Sequence, residues 1–427
     1  ATISIPYGDE YLRFGVSDER LIDVLNPNEL TLPSDELEEI RHAIEEPIGS
    51  HRLEDIVSPD DIVAVICDDI SRSTPTHKVL PILLNLLNKA GMPDEKIFAV
   101  MALGSHRPMT DEEITQKVGP ETRSRIAVFN SEFRHEDGLL DLGLAPGGVH
   151  IWADKRVMNA DIRIGIGSIV PHPAVGWSGG GKIIYPGVTG EKTVTAFHLQ
   201  HGSVPWNMYG SERSPVRENM EKWVDKVGLH YIVNLICTPN GKIYRAVAGH
   251  YVDAHRAGVK YAKKLYGVEA QGKVEIAIVS SHPADADFWQ ATKGVLSGDF
   301  LAKDGGTLIL VTPCFEGVGP HGSYMTYIGS DNIEELLAEA SLMTDTTSDP
   351  LALPVAATVA RVRQRIMLAL VSEGISYKDA FRAGFQKYDT IECALEDAFA
   401  QHGSSAKVSV LPYGALVYPI LPEDNYR

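Results

Sequence analysis

The chain has 427 residues, of which 44% are hydrophobic and 22% are charged, and its formal net charge is −18. This length and balance are typical of a folded protein with two domains and exclude a disordered or fibrous chain. The acidic excess and the lack of an apolar run of about 20 residues argue against a nucleic-acid partner and against a membrane span.

Strand and helix patterns alternate through the first half of the chain. A β segment at 2–6 and a helix at 34–46 come first. Short apolar runs that end in polar loops predict buried strands at 61–69, 97–104, 125–130, 161–168 and 233–238. Helical patterns cover 76–90, 212–227 and 249–266. Thr110 and Glu113 form a capping box that begins a further helix.

A second series of alternating strands and helices begins near residue 269, where the composition turns polar. Strands are predicted at 274–281, 307–313, 365–372 and 407–414, with helices between them. Strands that alternate with helices indicate a largely parallel sheet flanked by helices, here one in each half. The sequence therefore predicts an α/β protein with domains at 1–268 and 269–427. The last strand belongs either to the second domain or, returning, to the first.

The four cysteines, at positions 67, 237, 314 and 393, are far apart and form no CxxC pair. This spacing excludes a zinc knuckle or a disulfide scaffold and indicates a reducing, cytoplasmic location. The first fifteen residues contain neither a basic nor an apolar segment, so we expect no signal peptide.

Polar stretches follow four of the predicted strands. They are CDDISR at 67–72, GSHRP at 104–108, GSIVPH at 167–172 and SSHPADADFWQATK at 280–293. In open α/β sheets, ligands bind at the carboxyl ends of the strands. Because these stretches come from both halves of the chain, we expect the active site in the cleft between the two domains.

The region around GWSGGGK, at 176–182, is the densest in chemistry, with His172 before it and Lys182 at its end. Glycines let the backbone approach a ligand closely, and a lysine directly after them can enter the same pocket. The spelling matches a phosphate loop, but Ile183 stands where a magnesium-binding Ser or Thr is required. A phosphate-loop-like nucleotide-dependent enzyme and a tight surface turn are both alternatives.

Two histidines, His106 and His172, lie in separate strand-end loops. A racemase needs one base that removes a proton on one side of the substrate and a second that returns it on the other. A rigid turn with an exposed histidine would account for either residue equally well. His198 and His201, three residues apart on a predicted helix, could bind a metal, although no zinc motif surrounds them.

Two cations are candidates for holding an anion. Arg72, in the loop with Asp69, offers a planar fork that suits a carboxylate or a phosphate. Lys293 follows Trp289 and Gln290 on a predicted helix. The alternatives are an Asp–Arg pair that only shapes the turn and a solvated lysine.

Taken in order, these pieces resemble the lactate racemase family, whose enzymes use a nickel-pincer nucleotide. The agreement covers most of the chain and is strongest from residue 68 to residue 198. The pieces are the Asp-Asp loop that ends at Arg72, GSHRP, His172, Lys182 ten residues later, His198 sixteen residues after that lysine, and Q-A-x-K-G at 290–294. Each motif alone is weak evidence for the family, whereas the order and spacing of the motifs together are specific to it.

The resemblance implies a role for each matching position. Lys182 matches the lysine that holds the cofactor through a thioamide bond, and His198 matches the protein ligand of the nickel. His106 and His172 match the catalytic acid/base histidines. The matching cofactor contacts are Asp69, Arg72, Gly179, Gly180, Trp289, Gln290 and Lys293, of which Arg72, Gln290 and Lys293 also bind the substrate.

The reaction that the resemblance implies is racemisation or epimerisation of a 2-hydroxy acid by proton-coupled hydride transfer. One histidine takes the hydroxyl proton, hydride passes to the cofactor, and a 2-keto acid results. Hydride then returns to the other face. The implied partners are a small 2-hydroxy acid and the maturation proteins that build the cofactor, which an unmatured protein would lack.

Two departures from the family pattern affect which 2-hydroxy acid we expect as the substrate. Trp289 stands where the lactate enzymes have a tyrosine, and the tryptophan that lines their pocket is absent from the helix before 365–372. Such changes are worth about 1–3 kcal/mol per group, which is enough to redirect specificity towards an acid other than lactate. The alternative from another class is a protein that binds a nucleotide or an organic acid without turnover. The oligomeric state does not follow from the sequence.

Overall fold

The structure, a computed structural model, describes residues 1–145, 148–341 and 349–422. The strands are β1 (Thr2–Tyr7), β2 (Glu10–Gly15), β3 (Leu21–Val24), β4 (Val63–Asp68), β5 (Ile97–Ala102), β6 (Ala127–Asn130), β7 (Leu139–Leu144), β8 (His150–Asp154), β9 (Ile162–Ser168), β10 (Pro171–His172), β11 (Gly176–Trp177), β12 (Tyr231–Cys237), β13 (Ile243–Gly249), β14 (Gly267–Glu269), β15 (Val274–Ser280), β16 (Ala302–Val311), β17 (Met367–Val371), β18 (Gln386–Tyr388), β19 (Val408–Leu411) and β20 (Tyr418–Ile420). The α-helices are α1 (Glu36–Glu45), α2 (Leu53–Ile56), α3 (Thr76–Lys89), α4 (Asp111–Val118), α5 (Pro120–Arg125), α6 (Lys155–Asn159), α7 (Glu191–Gly202), α8 (Pro215–Val227), α9 (Asp253–Tyr266), α10 (Phe288–Ala291), α11 (Lys293–Gly298), α12 (Tyr324–Ile328), α13 (Ile333–Ser341), α14 (Ala352–Arg363), α15 (Tyr377–Arg382) and α16 (Ile391–His402). Short 3-10 turns lie at Asp94–Lys96, Glu136–Gly138 and Gly180–Ile183.

The first sheet has the strand order β13-β12-β9-β4-β5-β6. Its neighbours are parallel except for β13, which returns antiparallel beside β12. The inner strands are buried almost throughout because helices cover both faces of the sheet. Each strand predicted between residues 61 and 238 is confirmed, as is the helix that begins after the capping box of Thr110 and Glu113. Strand β13 was not predicted from the sequence.

The second sheet has the order β18-β17-β16-β15-β19-β3, and its neighbours are all parallel. The strands predicted from 274 onwards are confirmed as β15, β16, β17 and β19. The strand predicted at 407–414 lies between β15 and β3, and therefore stays in the second sheet.

The segment that joins the other half is the start of the chain, not its last strand. Strand β3 pairs with β19, with Leu21 beside Val408. Apolar side chains of the β1–β2 hairpin, among them Ile5 and Phe14, pack in one core with Ile276 of β15. A division at residue 268 therefore does not coincide with sheet membership, because the first 24 residues pack on or join the second sheet.

The prediction of two α/β units with largely parallel sheets flanked by helices is confirmed. Neighbouring strand ends of the first sheet, after β4, β5 and β9, carry three of the predicted polar loops, and β15 of the second sheet carries the fourth. No α-helix in the described part of the chain is long and apolar enough to cross a membrane.

Candidate active site

A cavity of about 1150 Å³, its open mouth included, is lined by residues at the carboxyl ends of strands of the first sheet and by residues from helices of the second half of the chain. Loops after β4, β5 and β9 form one side, α10 and α11 form another, and α7 and α14 complete the walls. The predicted residues that line it are Asp69, Arg72, His106, His172, Gly179, Lys182, His198, Trp289, Gln290 and Lys293. Gly180 lies behind this wall, where its N–H donates to Asn234 Oδ1 at 2.8 Å.

Asp69 holds the ring of His106. The Asp69 carboxylate lies 2.5 Å from His106 Nδ1 through one oxygen and 2.5 Å from Ser71 Oγ through the other. Burial acts to raise the pKa of Asp69, but the charge and hydrogen bond of His106, together with Arg72, hold it below its ordinary value. The carboxylate is therefore ionised and fixes a proton on His106 Nδ1, as a buried carboxylate does for a catalytic histidine.

Gln290 defines the other nitrogen of the same ring. Its Oε1 accepts hydrogen bonds from Lys293 Nζ at 2.7 Å and from Arg72 Nη1 at 3.3 Å. The amide nitrogen must then face His106, and it donates to His106 Nε2 at 3.0 Å. His106 Nε2 is consequently an acceptor on the wall of the cavity.

His172 has the opposite arrangement of its ring nitrogens. It lies at the end of β10, in a two-strand hairpin with β11, and its Nδ1 accepts a hydrogen bond from Ala174 N–H at 3.1 Å. The neutral ring therefore carries its proton on Nε2. Burial, followed by the charges of Lys182 and Lys293, lowers its pKa well below the ordinary value.

Three cations, Arg72, Lys182 and Lys293, share the cavity. Burial, followed by the charge of Arg72, lowers the pKa of Lys182 to about 7. Burial and the same neighbouring charges lower the pKa of Lys293 well below its ordinary value. Like charges gathered in a buried site are unfavourable unless an anion joins them, so the cluster suits a carboxylate or phosphate ligand.

His198 lies on α7, half-buried and stacked on the ring of Trp289, with the two ring centroids 6.2 Å apart and the planes 26° from parallel. Its Nδ1 is buried without a hydrogen-bond partner. Burial is the largest cause that lowers its pKa well below the ordinary value, so the ring is neutral and its nitrogen can bind a metal. Among the described residues, no three His, Cys, Asp or Glu side chains group into a metal site.

The glycine stretch before Lys182 is shaped by close packing. Gly179 and Gly180 have φ values of +80° and +60°, which favour glycine. A Cβ on Gly179 would lie 2.7 Å from Asn234 Oδ1, and one on Gly180 would lie 2.9 Å from the Tyr251 carbonyl oxygen. Lys182 then lies in a short 3-10 turn rather than at the start of an α-helix, so the anion cradle of a phosphate loop is not formed here.

Some residues that support the site were missed in the sequence. Lys117, on α4, is buried, with its Nζ 2.8 Å from Asp68 Oδ1 and 2.8 Å from the Arg72 carbonyl oxygen. Arg217, on α8, donates to the carbonyl oxygens of Val175 and Trp177 and so holds the loop before the glycines. In the sequence, both residues have the pattern of charged side chains on the solvent-facing side of a helix. Asn234 alone had a signal, as an amide inside the apolar strand β12.

Two domain models of one protein family match most of the chain. The model of the lactate racemase N-terminal domain matches residues 7–206, and that of the lactate racemase C-terminal domain matches residues 269–418. The chain belongs to the lactate racemase family. This lactate racemase family member is accordingly an isomerase, and the predicted family is confirmed.

Relatives match the family member over nearly its whole length. The lactate racemase of Thermoanaerobacterium thermosaccharolyticum is 27% identical over 426 residues, covering 98% of this chain and 99% of that protein. The lactate racemase of Lactiplantibacillus plantarum is 27% identical over 431 residues, covering 96% and 98%. The solved lactate racemase apoprotein from T. thermosaccharolyticum superposes with a TM-score of 0.88 at 27% identity, covering 99% of this chain and 100% of that one. A protein from Thermotoga maritima shares the fold, with a TM-score of 0.70 at 20% identity and coverage of 92% and 100%.

Proposed function

We propose that this enzyme racemises or epimerises a 2-hydroxy acid by proton-coupled hydride transfer, with a nickel-pincer nucleotide attached to Lys182. The observation that carries the proposal is that His106 and His172 line the same cavity as Lys182 and His198. Both imidazoles face their fixed partners, Asp69 and the Ala174 N–H, with Nδ1, but in opposite tautomers. His106 is therefore ready to accept a proton at Nε2, whereas His172 holds one there.

The side chains fit a nucleotide that brings most of its own metal ligands. His198 offers one buried nitrogen without a partner, and the described residues supply no further cluster of metal-binding side chains. With a pKa of about 7, Lys182 is partly neutral near pH 7, which is the form that attacks an activated carboxylate or thiocarboxylate. When bound, such a nucleotide supplies a ring carbon that accepts hydride from the substrate and returns it.

The cation cluster positions the substrate. Arg72 and Lys293 converge on Gln290 Oε1, and a substrate carboxylate at that point would receive donors from both side chains. The 2-hydroxyl group then takes the place of the Gln290 amide at His106 Nε2. Asp69 stabilises the imidazolium that forms when His106 accepts the hydroxyl proton.

His172 completes the cycle from the other side. To return a net proton to the substrate oxygen it must hold two protons, although burial, followed by the charges of Lys182, Lys293 and Arg72, lowers its pKa in the protein alone. Attachment of the nucleotide removes the charge of Lys182, and the substrate carboxylate neutralises the other two cations. We therefore propose that His172 gains its second proton only once cofactor and substrate are in place.

The proposal depends on Lys182, and the Lys182 peptide tests it. The protein is produced together with cofactor-maturation proteins, digested and measured by mass spectrometry, alongside nickel content and racemisation of a panel of 2-hydroxy acids. We expect a covalent adduct on Lys182, about one nickel per chain, and turnover of at least one acid. The Lys182→Ala variant, the matched control, should carry no adduct and little nickel.

Other results would contradict the proposal. An adduct-free Lys182 in an active enzyme would exclude the tethered cofactor. An intact adduct without turnover of any acid would favour a binding protein for a nucleotide or an organic acid.

The proposed cofactor also implies protein partners, because maturation proteins must build it. A reducing cytoplasm is the proposed location, which is supported by Cys67, Cys237, Cys314 and Cys393 all being free thiols.

A further inference from the structure

A second cavity, of about 680 Å³, adjoins the first. The two cavities share Pro173, His201, Leu296 and Thr358 in their walls. Pro173 directly follows His172, one of the two proposed catalytic imidazoles. The second cavity therefore lies next to the proposed substrate position.

Three helices lead from the first cavity towards the second. Helix α11 has Lys293 in the first cavity, Leu296 at the junction and Asp299, at its C-terminal end, in the second. Helix α14 leads from Thr358 at the junction to Arg361 in the second cavity, and α7 reaches the junction at His201. Six residues separate Lys293 from Asp299, which is about 9 Å along a helix axis.

The junction has little bulk on its α14 side. Of the residues on that helix, Val355 and Thr358, both with short side chains, line the first cavity. The Thr358 hydroxyl donates to the Val355 carbonyl oxygen at 2.7 Å and so is committed to its own helix. A chain that leaves the reacting carbon past Pro173 would meet no large side chain from α14.

Both arginines that line the second cavity are already paired with carboxylates. Arg361 forms a two-point ion pair with Glu334, with distances of 2.6 and 2.9 Å. Arg365 pairs with both Asp299 and Asp304. Two guanidinium groups thus face three carboxylates, and neither arginine is left as a free cation for an anionic ligand.

Hydrogen-bonding capacity remains in the same place. Asn207 donates to the Leu296 carbonyl oxygen at 2.6 Å and to Asp299 Oδ2 at 3.2 Å, which leaves the carboxylate with further lone pairs. Trp206 forms an apolar wall at the opening, with 58% of its surface exposed. This combination suits hydroxyl groups on a carbon chain, whereas an added carboxylate would lie beside carboxylates without a free counter-charge.

We propose that the second cavity receives the tail of the substrate, and that the substrate is a 2-hydroxy acid with a neutral, hydroxyl-bearing tail that extends beyond the first cavity. This inference rests on the proposed function, because it takes the carboxylate to lie at Arg72 and Lys293. It adds the direction in which the substrate extends and the chemistry of the far end.

Four probe acids separate tail length from tail chemistry. They are 2-hydroxybutanoate, 2-hydroxyhexanoate with an apolar tail, 2-hydroxyglutarate with an anionic tail, and a six-carbon aldonic acid with a hydroxylated tail. For the cofactor-loaded enzyme we expect kcat/KM to be at least tenfold higher for the aldonic acid than for each of the others. In saturation-transfer NMR, which needs no turnover, the tail protons of the aldonic acid should receive saturation from the protein.

A variant at the opening tests the location. Trp206→Ala should lower the ratio of kcat/KM for the aldonic acid to that for 2-hydroxybutanoate at least tenfold, and should weaken saturation of the tail protons. Because the side chain is largely exposed, the variant is expected to fold. Phe381→Ala is the matched control, since Phe381 is an aromatic residue with 84% exposure that lines neither cavity, and it should leave the ratio unchanged.

The outcomes separate this inference from the proposed function. A higher kcat/KM for the short, apolar or anionic acid would overturn the inference while leaving racemisation intact. An unchanged ratio in Trp206→Ala would also overturn it. If no acid is turned over, the proposed function fails, and the saturation of the aldonic tail protons, present or absent, still decides whether the second cavity binds that tail.

Discussion

The ring of His106 shows how one carboxylate can decide which nitrogen of an imidazole is free to accept a proton. Asp69 and Gln290 hold the two ring nitrogens at 2.5 and 3.0 Å. In Asp69→Asn the side-chain amide can rotate and donate to Nδ1, which moves the ring proton to Nε2 and removes the base. We expect kcat to fall about 10²- to 10⁴-fold while cofactor attachment is retained, measured as racemisation rate and as mass of the Lys182 peptide.

Ser71→Ala is the control for this substitution. It removes the second hydrogen bond to Asp69, at 2.5 Å, but leaves the carboxylate charged and in contact with His106. Its loss of kcat should be at most about tenfold, which is the lower end of the range for one hydrogen bond to a charged group. Equal losses in the two variants would contradict a special role for the Asp69 charge.

The amine of Lys182 gives a prediction about pH. Because burial lowers its pKa to about 7, the amine is neutral above that pH and charged below it. Acylation of Lys182 in cofactor-free protein should therefore rise through a midpoint near pH 7, measured by peptide mass spectrometry. The exposed Lys192 in the same digest controls for the reagent. Labelling of the two lysines in constant proportion at every pH would contradict the prediction.

The same lowered pKa has a consequence for stability. An unfolded lysine has a pKa of 10.5, so between about pH 7 and 10.5 the unfolded chain binds more protons at this position than the folded chain. The contribution of Lys182 to the free energy of unfolding therefore increases as the pH rises through that window. Below pH 7 both states are protonated and the cost of the buried charge is present in full.

At the scale of an element, the glycine stretch gives a prediction that separates close packing from backbone strain. Gly179→Ala places a methyl group 2.7 Å from Asn234 Oδ1 and 2.9 Å from Ile169, at a φ of +80°. Gly241→Ala is the matched control, with a φ of +78° and open space around it. The control should cost about 1 kcal/mol of unfolding free energy and Gly179→Ala about 2–4 kcal/mol, measured by urea denaturation. Equal costs would mean that strain alone explains the glycine.

The elements were more predictable from the sequence than the contacts between them. Buried strands such as β4 and β9 were predictable because a short apolar run bounded by polar loops is typical of a strand covered on both faces. Strand β13, at Ile243–Gly249, was missed because its pattern merges with the helix that follows. The positions of Lys117 and Arg217 were not predictable either, since a charged residue on a helix looks solvated until the packed loop opposite is known.

At the scale of the whole molecule, the candidate site was predictable because strand order brings the carboxyl ends of parallel strands together. His106, His172 and Lys293 are far apart in sequence yet line one cavity. The placement of the first strands was not predictable. An amphipathic hairpin such as β1–β2 reveals which of its faces is buried, but not against which of two sheets it packs, because that choice depends on the exposed surface that each sheet leaves.

That placement leads to a prediction about how the two halves depend on each other. The hairpin buries Ile3, Ile5, Phe14 and Val16 against the second sheet, and β3 covers the edge of β19. At about 1.5–3 kcal/mol per buried side chain, these four account for roughly 6–12 kcal/mol, comparable to the whole stability of a domain. Deleting residues 1–24 should therefore abolish amide protection in β15 and β19 while β4 and β5 stay protected, measured by hydrogen exchange with mass spectrometry. Loss of protection in both sheets to the same extent would show instead that the molecule unfolds as one cooperative unit, and full protection in β19 would show that its edge needs no partner.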